Sequence, residues 1–162
     1  MEIVEVCGRK PELIPALLTV WENSVRATHL FLSEAEIAKI KEYVPQALAE
    51  AEHLVIAENE EKEPVAFMGT KKDRLEMLFL LPSERGKGLG KCLVRHGIRY
   101  YGIREVTVNE QNPQAVGFYQ HMDLKPIREP IMMKKEIRIR FYTCGERKKR
   151  VIFMSPNASF KR

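Results

Sequence analysis

Leu78-Phe79-Leu80-Leu81-Pro82-Ser83-Glu84-Arg85-Gly86-Lys87-Gly88-Leu89-Gly90-Lys91 passes from an apolar run through a glycine-rich turn into an amphipathic segment. Alternating glycines let backbone N–H groups converge on an anion, and a helix N-terminus adds its dipole. A phosphorylated ligand is the natural partner. Two familiar phosphate loops fail on spacing. A P-loop ending at Gly90-Lys91 needs glycine where Arg85 stands and serine or threonine where Cys92 stands, and a dinucleotide fingerprint starting at Gly86 needs glycine where Lys91 stands. A plain strand-to-helix turn is the blander reading, but it calls for fewer glycines than these.

On either side, hydrophobic periodicity sets the element order. Ile3 to Cys7 is short and β-branched, a first strand. After Pro11, the residues Leu13, Ile14, Leu17, Leu18, Trp21 and Val25 recur at helical spacing. Ser33 and Glu36 form a capping box for a second helix through Ile37, Ile40 and Val44, which Pro45 should end or kink. Two strands at 53–57 and 64–69 flank a charged turn, and a third runs from Leu75 to Leu81. Leu89 to Tyr101 is a helix and Glu105 to Asn109 a strand. Asn112-Pro113 then opens a short helix. Hairpins mixed with helical crossovers imply an α/β chain of the α+β type, with a mixed central sheet flanked by helices on both faces.

The 162 residues suit one domain, and 44% hydrophobic with 30% charged residues is an ordinary globular mix. No apolar run approaches membrane-spanning length, and Glu2 and Glu5 interrupt the stretch where a signal peptide would be apolar. Cys7, Cys92 and Cys144 share no CxxC spacing, so neither a disulfide framework nor a metal site is expected. A cytoplasmic setting fits. The net charge of +5 is unevenly spread: residues 123–162 hold 12 Lys/Arg against 4 Asp/Glu, and the first 122 hold 15 against 18. A basic tail can bind nucleic acid or an anionic membrane, but Phe141, Tyr142, Phe153 and Phe160 form no stacking motif. Nonspecific charge is the expectation, with neither nucleic acid nor membrane as a specific partner.

Arg85-x-x-Gly88-x-Gly90 resembles the acyl-CoA pyrophosphate loop of the GNAT acetyltransferases, and the element order up to Met122 resembles their fold. Ser24 to Leu32, Val108 to Asn112 and Ala115 to Tyr119 look like the bacterial YjaB-type branch of that family. The resemblance implies an acetyl-CoA-dependent N-acetyltransferase acting on a primary amine by direct attack in a ternary complex. In that scheme Arg85, Gly86, Lys87, Gly88, Leu89, Gly90 and Lys91 hold the pyrophosphate of coenzyme A. Met77, Leu78, Phe79 and Leu80 run beside the pantetheine arm, with the Leu78 amide polarising the thioester carbonyl. Asn109, Asn112, Ala115, Phe118 and Tyr119 complete the cofactor site.

For catalysis, the resemblance assigns Tyr119 as the acid that returns a proton to the leaving thiolate. Asn109 would bond the pantetheine or the reacting centre, and Glu76 is a candidate base. Each has a structural alternative: a core aromatic, a strand-terminating asparagine and a solvated strand residue. Thr28, His29 and Phe31 could shape the acceptor pocket, with a structural histidine the expectation for His29 ahead of a catalytic one. The acceptor stays open among a small amine, a protein N-terminus and a lysine, as does the choice between monomer and homodimer. A non-catalytic acyl-CoA binder is the rival reading.

After Met122 the family would continue with Gly-Phe and two final strands, whereas this chain has Asp123-Leu124 and later Arg147-Lys148-Lys149-Arg150. The division expected is therefore a core over 1–122 and an atypical segment over 123–162. Met132-Met133-Lys134-Lys135-Glu136 must be encoded by ATG ATG AAR AAR GAR. One base earlier, those codons spell Asp, Glu, then Glu or Lys, then Gly or Arg. The same shift permits Gly-Phe-Lys at Asp123-Leu124-Lys125 and Asn-Pro-Tyr-Pro-Ile-Leu after Glu136, as in this branch. A G lost just after the Met122 codon is the expectation; sequencing across that codon and finding no discrepancy with close relatives would sink it. The β-prone runs at Ile137 to Phe141 and Val151 to Phe153 leave room for a substitute hairpin.

Overall fold

Strands whose side chains are buried on both faces read as continuous apolar runs, and this governs the centre of the molecule. The computed structural model describes residues 1–8, 11–109, 111–122, 125–127 and 136–140. The chain runs β1 (Glu2–Glu5), α1 (Leu13–Thr28), α2 (Glu34–Lys41), α3 (Val44–Glu50), β2 (His53–Glu58), β3 (Pro64–Lys71) and β4 (Arg74–Leu80). A 3₁₀ turn at Pro82–Glu84 leads to α4 (Leu89–Tyr101), β5 (Glu105–Asn109), α5 (Pro113–Gln120), β6 (Lys125–Ile127) and β7 (Glu136–Arg140). One seven-stranded sheet has the order β1-β2-β3-β4-β5-β7-β6. All neighbours are antiparallel except β4 and β5. It is the mixed sheet with helices on both faces that the element order implies.

Alternation along β2 and β3 divides the core. Leu54, Ile56 and Phe67 meet Leu17, Val20 and Trp21 of α1 and Leu48 of α3. Val55, Ala57, Ala66 and Met68 face the other way, to Leu89, Leu93 and Val94 of α4 and to Tyr119 of α5. None of the described helices is long and apolar enough to cross a membrane.

Two local expectations change. The single helix expected from Ser33 breaks after Lys41, although its capping box forms as predicted. Pro45 lies in the first turn of α3, where its missing N–H breaks no intrahelical bond, so it helps start a helix instead of ending one. The sheet also continues beyond Met122. β7 pairs along the whole of β5, from Glu105↔Arg140 to Asn109↔Glu136, and β6 pairs with β7. The β-prone run at Ile137 thus supplies a strand. Phe141, Cys144, the basic cluster at 147–150 and the run at Val151 to Phe153 lie outside the described residues.

Helix α4 approaches β3 closely at Gly97. A Cβ there would stand 2.2 Å from Ile103 Cδ1 and 3.1 Å from Met68 Cε, both in fully buried side chains. The helix-propensity gain of Gly97→Ala, about 1 kcal/mol, then works against overpacking of about 1–3 kcal/mol. We expect overpacking to win, and Ile103→Val, which removes the Cδ1 methyl, to reduce the cost in the double variant. Urea unfolding of the four-member cycle measures this. An identical Gly97→Ala effect in both backgrounds would refute the close-packing account.

Candidate functional site

The site begins with an irregularity. Gly69 pairs with Met77 but Thr70 with Leu75, so Glu76 is an extra residue in β4, a β-bulge. The bulge reverses which face later residues occupy: Leu75, Leu78 and Leu80 share one core, Met77 and Phe79 the other. Parallel pairing to β5 covers only Arg74↔Glu105 and Leu75↔Val106 and stops at the bulge. Bulges bend a strand, increase its twist and end pairing. Beyond Glu76 the two strands therefore part, leaving a wedge.

The ladder on the β3 side fixes which amides face that wedge. Leu81 N–H donates to Val65 C=O at 2.9 Å. Bonded and non-bonded pairs alternate along an antiparallel ladder, so Phe79 and Met77 are bonded to β3. The N–H and C=O groups of Leu78 and Leu80 point the other way, into the gap.

Across the gap lies α5. Asn112 caps it, its side-chain oxygen accepting from Ala115 N–H at 3.1 Å, and Pro113 occupies its first turn. Ala115, Phe118 and Tyr119, at helical spacing, line a cavity of about 390 Å³ together with Leu78, Phe79 and Leu80. Tyr119 is only 6% exposed. Burial pushes its phenol pKa well above the ordinary range, so the hydroxyl keeps its proton at any physiological pH.

The glycine loop closes one end of the cavity. Gly86 and Gly88 adopt φ of 76° and 84°, the left-handed region that suits glycine. Gly88 is the N-cap of α4, and the first bond of the helix runs from Cys92 N–H to Gly88 C=O at 3.0 Å. The amides of Leu89, Gly90 and Lys91 precede that bond and have no intrahelical acceptor. Gly88, Leu89, Gly90 and Lys91 all line the cavity, with Arg85 and Gly86. Arg85 donates to Gln114 Oε1 at 2.7 Å, spanning from the loop to α5.

The C-terminal turn of α1 and its C-cap contribute Ser24, Thr28 and His29, on the side where α1 meets the turn before the glycine loop. Thr28 Oγ1 lies 2.8 Å from Ser24 C=O and 2.7 Å from His29 Nδ1. Burial, and next the Arg85 charge, hold the His29 pKa below its ordinary value.

Some expected site residues lie outside this cavity. Phe31 touches it only indirectly, its ring 5.5 Å from that of His29. Asn109 is engaged locally, its side-chain oxygen accepting from Gln111 N–H at 2.9 Å, as a strand-terminating asparagine would be. Glu76 is exposed and lies 4.0 Å from Arg74. Met77 turns to the α1 side, and Lys87 pairs with Glu84 at 3.2 Å. Ser24, Glu84 and Gln114 line the cavity without having been anticipated. Ser24 stands four residues before Thr28 on the same helix face, a spacing that could have drawn attention to it.

Comparison with known proteins bears on this geometry. A family model described as an acetyltransferase (GNAT) domain matches residues 24–143. Among curated proteins, the peptidyl-lysine N-acetyltransferase YjaB of Salmonella typhimurium is 44% identical over 109 residues, 67% of this chain and 74% of that protein. Its Escherichia coli counterpart is 40% identical over the same shares. The solution structure of the apo form of E. coli YjaB superposes with a TM-score of 0.74 at 32% identity, covering 89% of this chain and all of that one. At 19% identity, and so in fold alone, the PaiA N-acetyltransferase of Thermoplasma acidophilum in complex with coenzyme A gives a TM-score of 0.69, over 88% of this chain and all of that one.

Proposed function

The chain belongs to the GNAT family of N-acetyltransferases, and from this we propose that it acetylates the side-chain amine of protein lysines, using acetyl-CoA bound in the wedge. Acetyl-CoA supplies the acetyl group as an activated thioester. One observation carries the assignment: unpaired helix amides, strand amides facing a gap and a buried tyrosine share a single cavity. The amides of Gly88 to Lys91, with Arg85 and Lys91 nearby, suit the pyrophosphate of such a cofactor. Leu78 and Leu80 can bond an extended amide-bearing arm as a further strand would, and the Leu78 N–H can stabilise charge growing on the carbonyl oxygen. Tyr119 holds the proton for the departing sulfur. We assign Ser24, Thr28 and His29 to the acceptor end. The lysine acceptor is supported by the activity named for the two curated relatives.

Calorimetric titration of acetyl-CoA, followed by mass spectrometry of a peptide with one central lysine, tests the reading. Saturable binding and an acetylated lysine are expected. Binding without transfer to peptides or small amines would favour a non-catalytic acyl-CoA binder, and no binding would overturn the site.

A further inference from the structure

Resting on the acetyltransferase reading, we propose that His29 is the general base of the reaction, with Thr28 holding its ring in the tautomer that leaves Nε2 free to accept the proton of the attacking amine. Hydrogen-bond arithmetic at the end of α1 supports the tautomer. Thr28 Oγ1 touches both Ser24 C=O and His29 Nδ1 but has one hydrogen. A carbonyl can only accept, so the threonine hydrogen belongs on Ser24 C=O. Nδ1 must then donate to Oγ1. The opposite tautomer would set two oxygen lone pairs 2.8 Å apart. With Nδ1 protonated, neutral His29 presents the lone pair of Nε2 from the far edge of the ring. Among the described residues, none hydrogen-bonds to Nε2. The ring lines the same cavity as Leu78 and Tyr119.

Near neutral pH lysine is an ammonium, with an ordinary pKa of about 10.4, so it gives one proton to solvent before its lone pair is available, and a base is required for the second proton, shed as the amine becomes an amide. The amine lone pair forms the bond to the acetyl carbon as the carbon–sulfur bond breaks. The nitrogen's surplus proton passes to Nε2, and the sulfur takes the Tyr119 proton. Solvent exchange then returns a proton from His29 to Tyr119, so the count closes. Glu76, the carboxylate first considered for this task, is outside the cavity and beside Arg74. The charged and titratable groups of the cavity wall around His29 are Arg85 and Glu84 from the β4–α4 connection, Lys91 from α4 and Tyr119 from α5. Burial disfavours imidazolium, and next the Arg85 charge. Both favour the neutral ring that a base needs.

Two experiments decide the matter. Nitrogen-15 NMR of the imidazole in the acetyl-CoA-free protein should show a protonated Nδ1 and an unprotonated Nε2, titrating below the ordinary histidine value of about 6.5. Thr28→Val should mix the tautomers. A protonated Nε2 in the wild-type protein would overturn the proposal. In the second, His29→Gln should lower kcat/KM for a lysine peptide about a hundredfold and remove the low-pH limb that His29 adds to its pH profile, leaving the limb of the lysine's own titration, with acetyl-CoA affinity retained. Thr28→Val should move the His29 limb. An unaltered profile in His29→Gln would refute the base, whereas a wild-type protein that transfers no acetyl group would instead refute the underlying function.

Discussion

Gly88→Val is expected to abolish measurable acetyl-CoA binding while leaving the protein folded. Gly88 sits at φ of 84°, where a β-branched residue is a true outlier, and such strain costs about 1–3 kcal/mol. The loop escapes it by rotating, and that rotation displaces the amides of Leu89 and Gly90. Two charge-assisted hydrogen bonds at about 1.5 kcal/mol or more each then vanish, which is about a hundredfold or more in affinity. A Cβ at this position meets no atom within 4 Å, so the fold itself should tolerate the change. Gly88→Asn should regain much of the affinity, because asparagine visits the left-handed region far more readily than valine. Titration calorimetry with a thermal unfolding control checks both variants. Undiminished affinity in Gly88→Val would remove the pyrophosphate from this loop.

The second large effect concerns chemistry and leaves binding nearly unchanged. Tyr119→Phe should reduce kcat by about 10²–10⁴-fold with little change in acetyl-CoA affinity, since the phenyl ring keeps its packing with Phe118. Burial raises the phenol pKa, which weakens the acid yet guarantees that its proton is present. The same low-dielectric surroundings disfavour the departing thiolate, so the transfer exchanges one poorly solvated anion for another. Because the pKa moves up, loss of the phenol proton should add no basic limb to the rate profile below about pH 10. Single-turnover kinetics separates chemistry from binding. Equal turnover in both proteins across that range would exclude Tyr119 from acid catalysis.

What could be foreseen from the residues was what local chemistry determines. The loop glycines, the Asn112 cap, the capping box at Ser33 and the amphipathic pattern of α4 each depend on neighbours within a few positions, and all appear where expected. The bulge at Glu76 depends on how β4 registers against a partner strand, which spacing along one segment does not reveal. It decides that Leu78 faces the gap and Met77 the opposite core. Asn109 illustrates the converse. The residue type suggested a role at the reacting centre, and the structure adds a local bond, its side-chain oxygen accepting from Gln111 N–H two positions along. The placement of β7 between β5 and β6 is likewise nonlocal, so the β-prone run at Ile137 announced a strand but not its neighbours.

The seam at the bulge also makes the sheet mechanically two leaves. β1 to β4 form one leaf through long antiparallel ladders, and β5, β7 and β6 form the other. Two register pairs join them, with Arg74 and Glu105, 3.6 Å apart, astride the hinge line. Few backbone hydrogen bonds cross this line, so it is the packing of Met68 and Leu75 with Val106 and Val108 that holds the leaves together. The cavity of the candidate site thus opens where the sheet is least hydrogen-bonded.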